Sequence, residues 1–165
     1  MKADKLYLVG FMGVGKSTVA RALGKRTGWR AEDVDERIEA HEHRTIASIF
    51  VQQGEAYFRQ LERVVLGELL PARHAVVATG GGTFVEADNR ALMLADGVVA
   101  WLDLPLARVL ERVPADGRRP LASDRAQMEQ LYARRQLAYA HAHARIDATQ
   151  PVAEVVGQLL EWIDY

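Results

Sequence analysis

The sequence predicts an α/β protein in which helices cover both faces of a parallel five-stranded sheet, giving three layers. Short apolar runs alternate with amphipathic segments along the chain, which is the pattern of repeated strand–helix units. The length of 165 residues fits one domain with a buried core, and no repeat or low-complexity linker divides it. We therefore expect residues 1–165 to form a single domain.

The elements follow one another as strand and helix. The predicted strands cover residues 6–10, 29–33, 75–79, 98–102 and 145–147, and the helices cover residues 16–27, 36–43, 55–70, 87–94, 106–113, 124–143 and 152–163. A short additional helix begins after Thr45, a favourable N-cap residue. Pro71 ends the helix predicted at residues 55–70, and Pro151 stands at the start of the last helix.

Residues 114–123 interrupt this alternation. The stretch PADGRRPLAS contains two prolines, a glycine and little apolar material for a core. We interpret it as a mobile loop of the kind that closes over a bound substrate.

Composition excludes several classes of protein. The net charge of −1 argues against a dedicated nucleic-acid binder, and the lack of cysteine excludes disulfides and thiolate metal sites. No apolar run approaches the roughly 18 residues of a membrane span, and glycines and a lysine interrupt the first apolar run, so we expect no signal peptide there. We expect a cytoplasmic protein with neither nucleic acid nor membrane as a partner. A monomer is also expected, but the oligomeric state does not follow from composition.

The stretch GFMGVGKS at residues 10–17 fits the phosphate-binding pattern G-x-x-x-x-G-K-[ST], known as the P-loop. It lies between a predicted strand and a predicted helix, which is the context this pattern requires. Gly13 and Gly15 let backbone N–H groups surround phosphate oxygens at a helix N-terminus. Lys16 reaches the β- and γ-phosphates and the Ser17 hydroxyl binds Mg²⁺. The sequence therefore predicts binding of a nucleoside triphosphate with magnesium.

Asp33 and Asp35 are the first candidates for contact with a second substrate. Their spacing of two at the end of a strand predicts that both carboxylates lie on one side, at the ligand edge of the sheet. One would hold magnesium waters, while the other accepts a hydrogen bond from an acceptor hydroxyl. A solvated pair that caps the next helix is the alternative.

Three further segments allow both a functional and a structural interpretation. Arg59, with Glu62 on the same helix face, either binds a substrate carboxylate or forms a surface ion pair. Arg118 and Arg119 either deliver a positive charge to the transferred phosphoryl group or belong to a solvated loop. The glycines at 80–82 are either the floor of an acceptor site, where a Cβ would occupy needed space, or a flexible turn.

The chain lacks the sequence motif of one large class of P-loop proteins, the regulatory GTPases. Regulatory GTPases read guanine with an Asn-Lys-x-Asp segment, and the single asparagine of this chain, Asn89, is not in one. A small chain with a closing loop favours phosphoryl transfer to a small acceptor, because water must be excluded during the transfer.

Taken together, these segments resemble the shikimate kinase family over nearly the whole chain. The segments that carry the resemblance, in order, are GFMGVGKST (10–18), DVDERIE (33–39), IASIF (46–50), GEAYFRQLE (54–62), TGGG (79–82), RPL (119–121) and RQLAY (135–139). Each one after the P-loop is weak alone, whereas their joint order and spacing are specific. The resemblance implies transfer of the γ-phosphate of ATP to the 3-hydroxyl of shikimate, with Mg²⁺.

The resemblance also implies a role for individual residues. On the nucleotide side these are Gly13, Val14, Gly15, Lys16, Ser17 and Thr18 at the phosphates, Ser17 and Asp33 at Mg²⁺, Arg112 and Pro151 around adenine, and Arg119 from the lid. On the acceptor side, Asp35 binds shikimate hydroxyls, Arg59 and Arg135 bind its carboxylate, and Gly80, Gly81 and Gly82 face its ring. Lys16, Asp35 and Arg119 are the implied catalytic residues, residues 33–62 the shikimate-binding helical region and 114–123 the lid.

Alternatives remain open at this point. Gluconate kinase or nucleoside monophosphate kinase activity would use the same P-loop, and a non-catalytic nucleotide-binding module is a third possibility. The sequence also leaves open whether Arg134 or Arg135 faces the substrate.

Overall fold

A computed structural model describes residues 2–112 and 125–165 of the chain. Its strands are β1 (Lys5–Val9), β2 (Arg30–Asp33), β3 (Ala75–Ala78), β4 (Val98–Asp103) and β5 (Ala144–Asp147). They form one parallel sheet in the order β2-β3-β1-β4-β5. The predicted lid at 114–123, with Arg118 and Arg119, lies outside the described residues.

Helices flank the sheet. They are α1 (Lys16–Thr27), α2 (Val34–Glu42), α3 (Ile46–Leu69), α4 (Ala87–Asp96), α5 (Leu106–Arg112), α6 (Arg125–Tyr139) and α7 (Val152–Leu160). The prediction of a five-stranded parallel sheet covered by helices is therefore confirmed. None of the helices in the described part of the chain is long and apolar enough to cross a membrane.

The central strand explains why the sequence reads as buried apolar runs. Every residue of β1 is buried, and β3 and β4 pair with it on either side. A strand covered on both faces has no exposed positions, so β1 does not alternate and is apolar after its first residue, Lys5. The carboxyl ends of β1 and β3 lie side by side, which brings the P-loop next to the triple glycine.

A kink in α3 accounts for the two helices predicted in its place. Gly54 has φ 83° and ψ 174°, so the backbone leaves the helical conformation there and resumes it immediately. At the start of α3 the Thr45 side chain accepts a hydrogen bond from Ser48 N at 3.1 Å, as its N-cap position predicts. The second half of α3 carries Arg59 and Glu62 toward the carboxyl edge of the sheet.

Three predicted boundaries are wrong. Helix α2 begins at Val34 with Asp33 as its N-cap, so Asp35 is in a helical turn and the strand spacing used for this pair does not apply. Helix α6 ends at Tyr139, and not at residue 143, because the chain must turn to enter β5 at Ala144. Helix α7 ends at Leu160, and not at 163, because Ile163 bridges to Ala3.

Candidate active site

Two adjoining cavities lie at the carboxyl edge of the sheet. The larger has a volume of about 480 Å³ and is lined by the P-loop together with Asp33 and Arg112. The smaller, of about 70 Å³, is lined by residues of α3, the triple glycine and α6. Met12, Asp35, Gly80 and Gly81 line both cavities, so the two meet at these residues.

The P-loop has the backbone that phosphate binding requires. Gly13 and Gly15 have φ of 75° and 100°, the left-handed region in which a side chain is strained. Lys16 is buried, and its Nζ donates to the carbonyls of Gly10 at 2.6 Å and Phe11 at 2.9 Å. A bound phosphate would compete with these carbonyls for the same ammonium group.

The remaining P-loop positions divide between cavity and core. Ser17 and Thr18 line the larger cavity. The Val14 side chain is 4% exposed and packs into the hydrophobic core, so only its backbone is available to a ligand.

Ser17 and two aspartates provide oxygen ligands beside the P-loop. The Ser17 hydroxyl donates to Asp33 Oδ2, and Asp35 lines the same cavity. Mg²⁺ prefers hard oxygen ligands, and proteins usually supply one or two of them while phosphates and water complete the octahedron. The described residues contain no group of three or more side chains suited to hold a metal. This donor set therefore fits Mg²⁺ that arrives with a nucleotide.

Arg112 and Pro151 occupy different surroundings. Arg112 lines the larger cavity, and its Nη1 lies 3.5 Å from the carbonyl oxygens of Gly13 and Val14. Pro151 is the exposed N-cap residue of α7 and is not among the residues that line this cavity. The geometry thus brings only Arg112 to the nucleotide cavity.

Arg59 lies in the smaller cavity as part of an ion-pair network. Its Nη1 is 2.6 Å from Glu62 Oε1, and its Nη2 is 3.2 Å from Glu55 Oε1. Glu62 is fully buried. Burial of the guanidinium lowers the pKa of Arg59, but Glu62 and Glu55 outweigh that effect and raise the pKa above its usual value.

Arg135 enters the smaller cavity from the opposite element, α6. It is 6% exposed, and none of the ion pairs among the described residues involves it. Its guanidinium carbon lies 5.7 Å from the centre of the Phe11 ring. Burial lowers the pKa of Arg135. Arg134 is exposed and lines a neighbouring surface cavity that Arg59 and Arg135 also border, but only Arg135 lines the smaller cavity with Arg59.

Each of the three glycines lies against a different charged side chain. The distances from the position of an added Cβ are 2.9 Å for Gly80 to Asp35 Oδ1, 2.7 Å for Gly81 to Arg135 Nη1 and 2.5 Å for Gly82 to both Arg59 Nη atoms. The bare backbone thus makes room for the charged groups of the site. The sequence interpretation, which reserved this space for an acceptor ring, did not include them.

An apolar wall of the smaller cavity was missed by sequence reasoning. It consists of Met12, Ile46, Phe50 and Phe58. Their pattern in the sequence is that of ordinary core residues, and only the kinked path of α3 places three of them beside the two arginines. The wall is suited to the carbon skeleton of a small ligand, and the arginines to its negative charge.

A P-loop beside a small second pocket is the arrangement of a small-molecule kinase. The protein-family model described as shikimate kinase matches residues 12–164. The chain belongs to the shikimate kinase family, and it is an ATP-dependent kinase.

Individual relatives support this assignment. A shikimate kinase from Persephonella marina is 41% identical over 93% of this chain and 98% of its own length. The structure of an Acinetobacter baumannii shikimate kinase in complex with shikimate matches with a TM-score of 0.91 and 36% identity, over 96% of this chain and 92% of that one. A gluconokinase from Sinorhizobium meliloti, at 18% identity, 96% and 90% coverage and a TM-score of 0.63, shares only the fold.

Proposed function

We propose that this chain transfers the γ-phosphoryl group of ATP to the 3-hydroxyl of shikimate, with Mg²⁺. The resulting shikimate 3-phosphate would serve aromatic biosynthesis. The nucleotide occupies the larger cavity and shikimate the smaller one. Asp35 lines both cavities, which supports its position at the point of transfer.

The observation that carries this proposal is the pair of arginines in the smaller cavity. Arg59 and Arg135 line it together, and Arg135 has no ion pair among the described residues. A buried guanidinium without a carboxylate is unfavourable until an anion reaches it. The carboxylate of shikimate supplies that anion, and the two planar guanidinium groups bind it from two sides. Residues 33–62 then form the helical region around shikimate.

The chemistry rests on positioning and charge. Bound Mg²⁺ would neutralise charge that develops on the phosphate oxygens, and Ser17 and Asp33 would hold it. Lys16 turns from its carbonyl partners to the β- and γ-phosphates. Asp35 accepts a hydrogen bond from the 3-hydroxyl and keeps it in line, which suffices when the transition state is loose.

Several roles remain predictions. Arg119 and the lid at 114–123 lie outside the described residues, and we expect Arg119 to stabilise the transferred phosphoryl group. Stacking of adenine between Arg112 and Pro151 is expected from the family resemblance. Charge balance and the absence of cysteine support a cytoplasmic location, and we expect a monomer without nucleic-acid or membrane partners.

Release of ADP with a panel of acceptors tests the proposal. We expect shikimate to stimulate ADP release strongly, whereas gluconate and AMP should not. Shikimate methyl ester should be at least about 10-fold poorer in kcat/KM, because it lacks the charge that Arg59 and Arg135 bind. Removal of Mg²⁺ with EDTA should stop turnover.

Two results would contradict the proposal. Equal use of shikimate and its methyl ester would show that the arginines do not bind the carboxylate. Absence of stimulation by any acceptor would instead indicate a nucleotide-binding module without turnover.

A further inference from the structure

Thr83 follows the triple glycine directly and belongs to none of the motifs that define the site. It is the first residue of a 3₁₀ turn, Thr83–Val85, and is fully buried. A buried hydroxyl needs hydrogen-bond partners, and the partners of this one connect two parts of the acceptor site.

Thr83 forms a closed set of hydrogen bonds. Its N–H donates to the Gly80 carbonyl at 3.3 Å, and its Oγ1 accepts from Gly80 N at 3.1 Å. The Thr83 hydroxyl donates a hydrogen bond to Glu62 Oε2 at 2.6 Å. The Thr83 carbonyl in turn accepts from Asn89 Nδ2 at 3.1 Å, which fixes the residue from α4.

Glu62 connects this set to the substrate arginine. Oε1 pairs with Arg59 Nη1 at 2.6 Å, so each carboxylate oxygen has a different partner. The carboxylate is completely buried, and loss of the Thr83 hydroxyl would leave Oε2 without that donor. The plane of the Glu62 carboxylate, and with it the Arg59 guanidinium, depends on Thr83.

We propose that Thr83 is a positioning residue for the phosphoryl acceptor. Its hydroxyl holds the glycine turn and the Glu62–Arg59 pair in one fixed relation, so that Arg59 meets the acceptor carboxylate at the correct angle. The residue acts through Glu62 and Gly80 and does not touch the reacting atoms. This inference rests on the proposed function, because its readout is the KM for shikimate.

Thr83→Val tests the proposal because it removes the hydroxyl and keeps the shape. We expect the shikimate KM to rise about 10-fold, while the ATP KM stays within about twofold. Thr83→Ser keeps the hydroxyl and should restore the shikimate KM to within about threefold of the unmodified enzyme.

Thr79→Val provides a matched control from the other side of the triple glycine. Thr79 is also buried, but its hydroxyl donates to the Leu8 carbonyl at 2.9 Å and has no part in the Glu62 pair. Thr79 also lines the larger cavity, so this variant can lose stability and change the ATP KM, but it should not raise the shikimate KM. Equal shikimate KM values for Thr79→Val and Thr83→Val would assign Thr83 a structural role and overturn the proposal.

Thr83→Cys keeps the test informative if the valine variant does not fold. A thiol is a weaker donor than a hydroxyl, so we expect about a threefold rise in the shikimate KM. An unchanged shikimate KM in this variant would overturn the proposal. Failure of the proposed function is distinct, because the unmodified enzyme itself would then not use shikimate.

Discussion

Two buried cations at opposite edges of the sheet have contrasting surroundings. Lys5, at the amino end of β1, is fully buried, and its Nζ lies 2.7 Å from Asp96 Oδ2. Arg135, at the carboxyl edge, is 6% exposed and takes part in none of the ion pairs among the described residues. The two cations are buried to nearly the same extent, but Lys5 forms an ion pair with a carboxylate and Arg135 forms none with the described residues.

The Lys5 cluster consists of Lys5, Tyr7, Arg73 and Asp96, and its charged groups pair with one another. Lys5 Nζ also donates to the Leu69 carbonyl at 2.6 Å, at the end of α3. Asp96 accepts from Tyr7 OH and from Arg73 Nη2, each at 2.6 Å. Burial raises the pKa of Asp96, but the hydrogen bonds from Lys5, Tyr7 and Arg73 outweigh it and hold this pKa below its usual value. The cluster ties β1 to the ends of α3 and α4.

Lys5 and Arg135 thus differ in what their burial serves. A buried cation without an ion pair costs stability, and such groups cluster at binding sites, where a ligand supplies the missing charge. We therefore infer a structural role for Lys5 and a binding role for Arg135. Substitutions at the two positions should therefore affect different measurements.

Arg135→Met should have the largest effect on function. Loss of one guanidinium from the carboxylate site should raise the shikimate KM about 100-fold, equivalent to about 2.7 kcal/mol, with little change in the ATP KM. The melting temperature should stay the same or rise, because an apolar side chain replaces a buried cation without an ion pair. Steady-state kinetics and thermal unfolding measure the two quantities.

Arg134→Met is the matched control for this substitution. Arg134 is adjacent in sequence but exposed, so both its shikimate KM and its melting temperature should be close to those of the unmodified enzyme. A rise in the shikimate KM for Arg134→Met with none for Arg135→Met would reverse the assignment of the two arginines.

Lys5→Met should produce the opposite pattern. It leaves Asp96 with Tyr7 and Arg73 only, and we expect a loss of about 2 kcal/mol in the free energy of unfolding, measured with urea. The shikimate KM should not change, because Lys5 lies at the far edge of the sheet.

The pH dependence of the free energy of unfolding provides a second test of the Lys5 cluster. Asp96 has a lowered pKa in the folded protein, so its contribution to stability is present above the ordinary carboxyl pKa and is lost as the pH falls through the lowered one. Removal of Lys5 removes one cause of that lowering. The difference in stability between Lys5→Met and the unmodified protein should therefore shrink at acid pH; a constant difference would argue against the ion pair.

Local patterns explain which parts of the molecule were predictable. The P-loop could be predicted because its function resides in contiguous backbone, and the inner strands β1, β3 and β4 because burial on both faces leaves mostly apolar runs. The edge strands β2 and β5 have exposed polar residues and a weaker signal. The acceptor site is built from α2, α3, the triple glycine and α6. Asp35, Arg59 and the glycines could be proposed from local spacing only with a structural alternative beside each, and Arg135 was identified only through family resemblance. Thr83 and the apolar wall had no signal, since a buried threonine or phenylalanine looks the same in any core.

The smallest effects are expected from alanine at Gly81 and Gly82, and they distinguish how firmly Arg135 and Arg59 are held. Gly81→Ala places a Cβ 2.7 Å from Arg135 Nη1, and Gly82→Ala places one 2.5 Å from both Arg59 Nη atoms. Neither glycine has a positive φ, so the backbone accepts alanine at both positions.

Arg135 moves aside more easily than Arg59, because Glu62 and Glu55 hold Arg59 in place. We expect Gly81→Ala to raise the shikimate KM about fivefold with little loss of stability, and Gly82→Ala to raise it further and lower the melting temperature. Steady-state kinetics and thermal unfolding of both variants measure the shikimate KM and the melting temperature. A larger effect at Gly81 would mean that the site fixes Arg135 by contacts stronger than the ion pairs of Arg59.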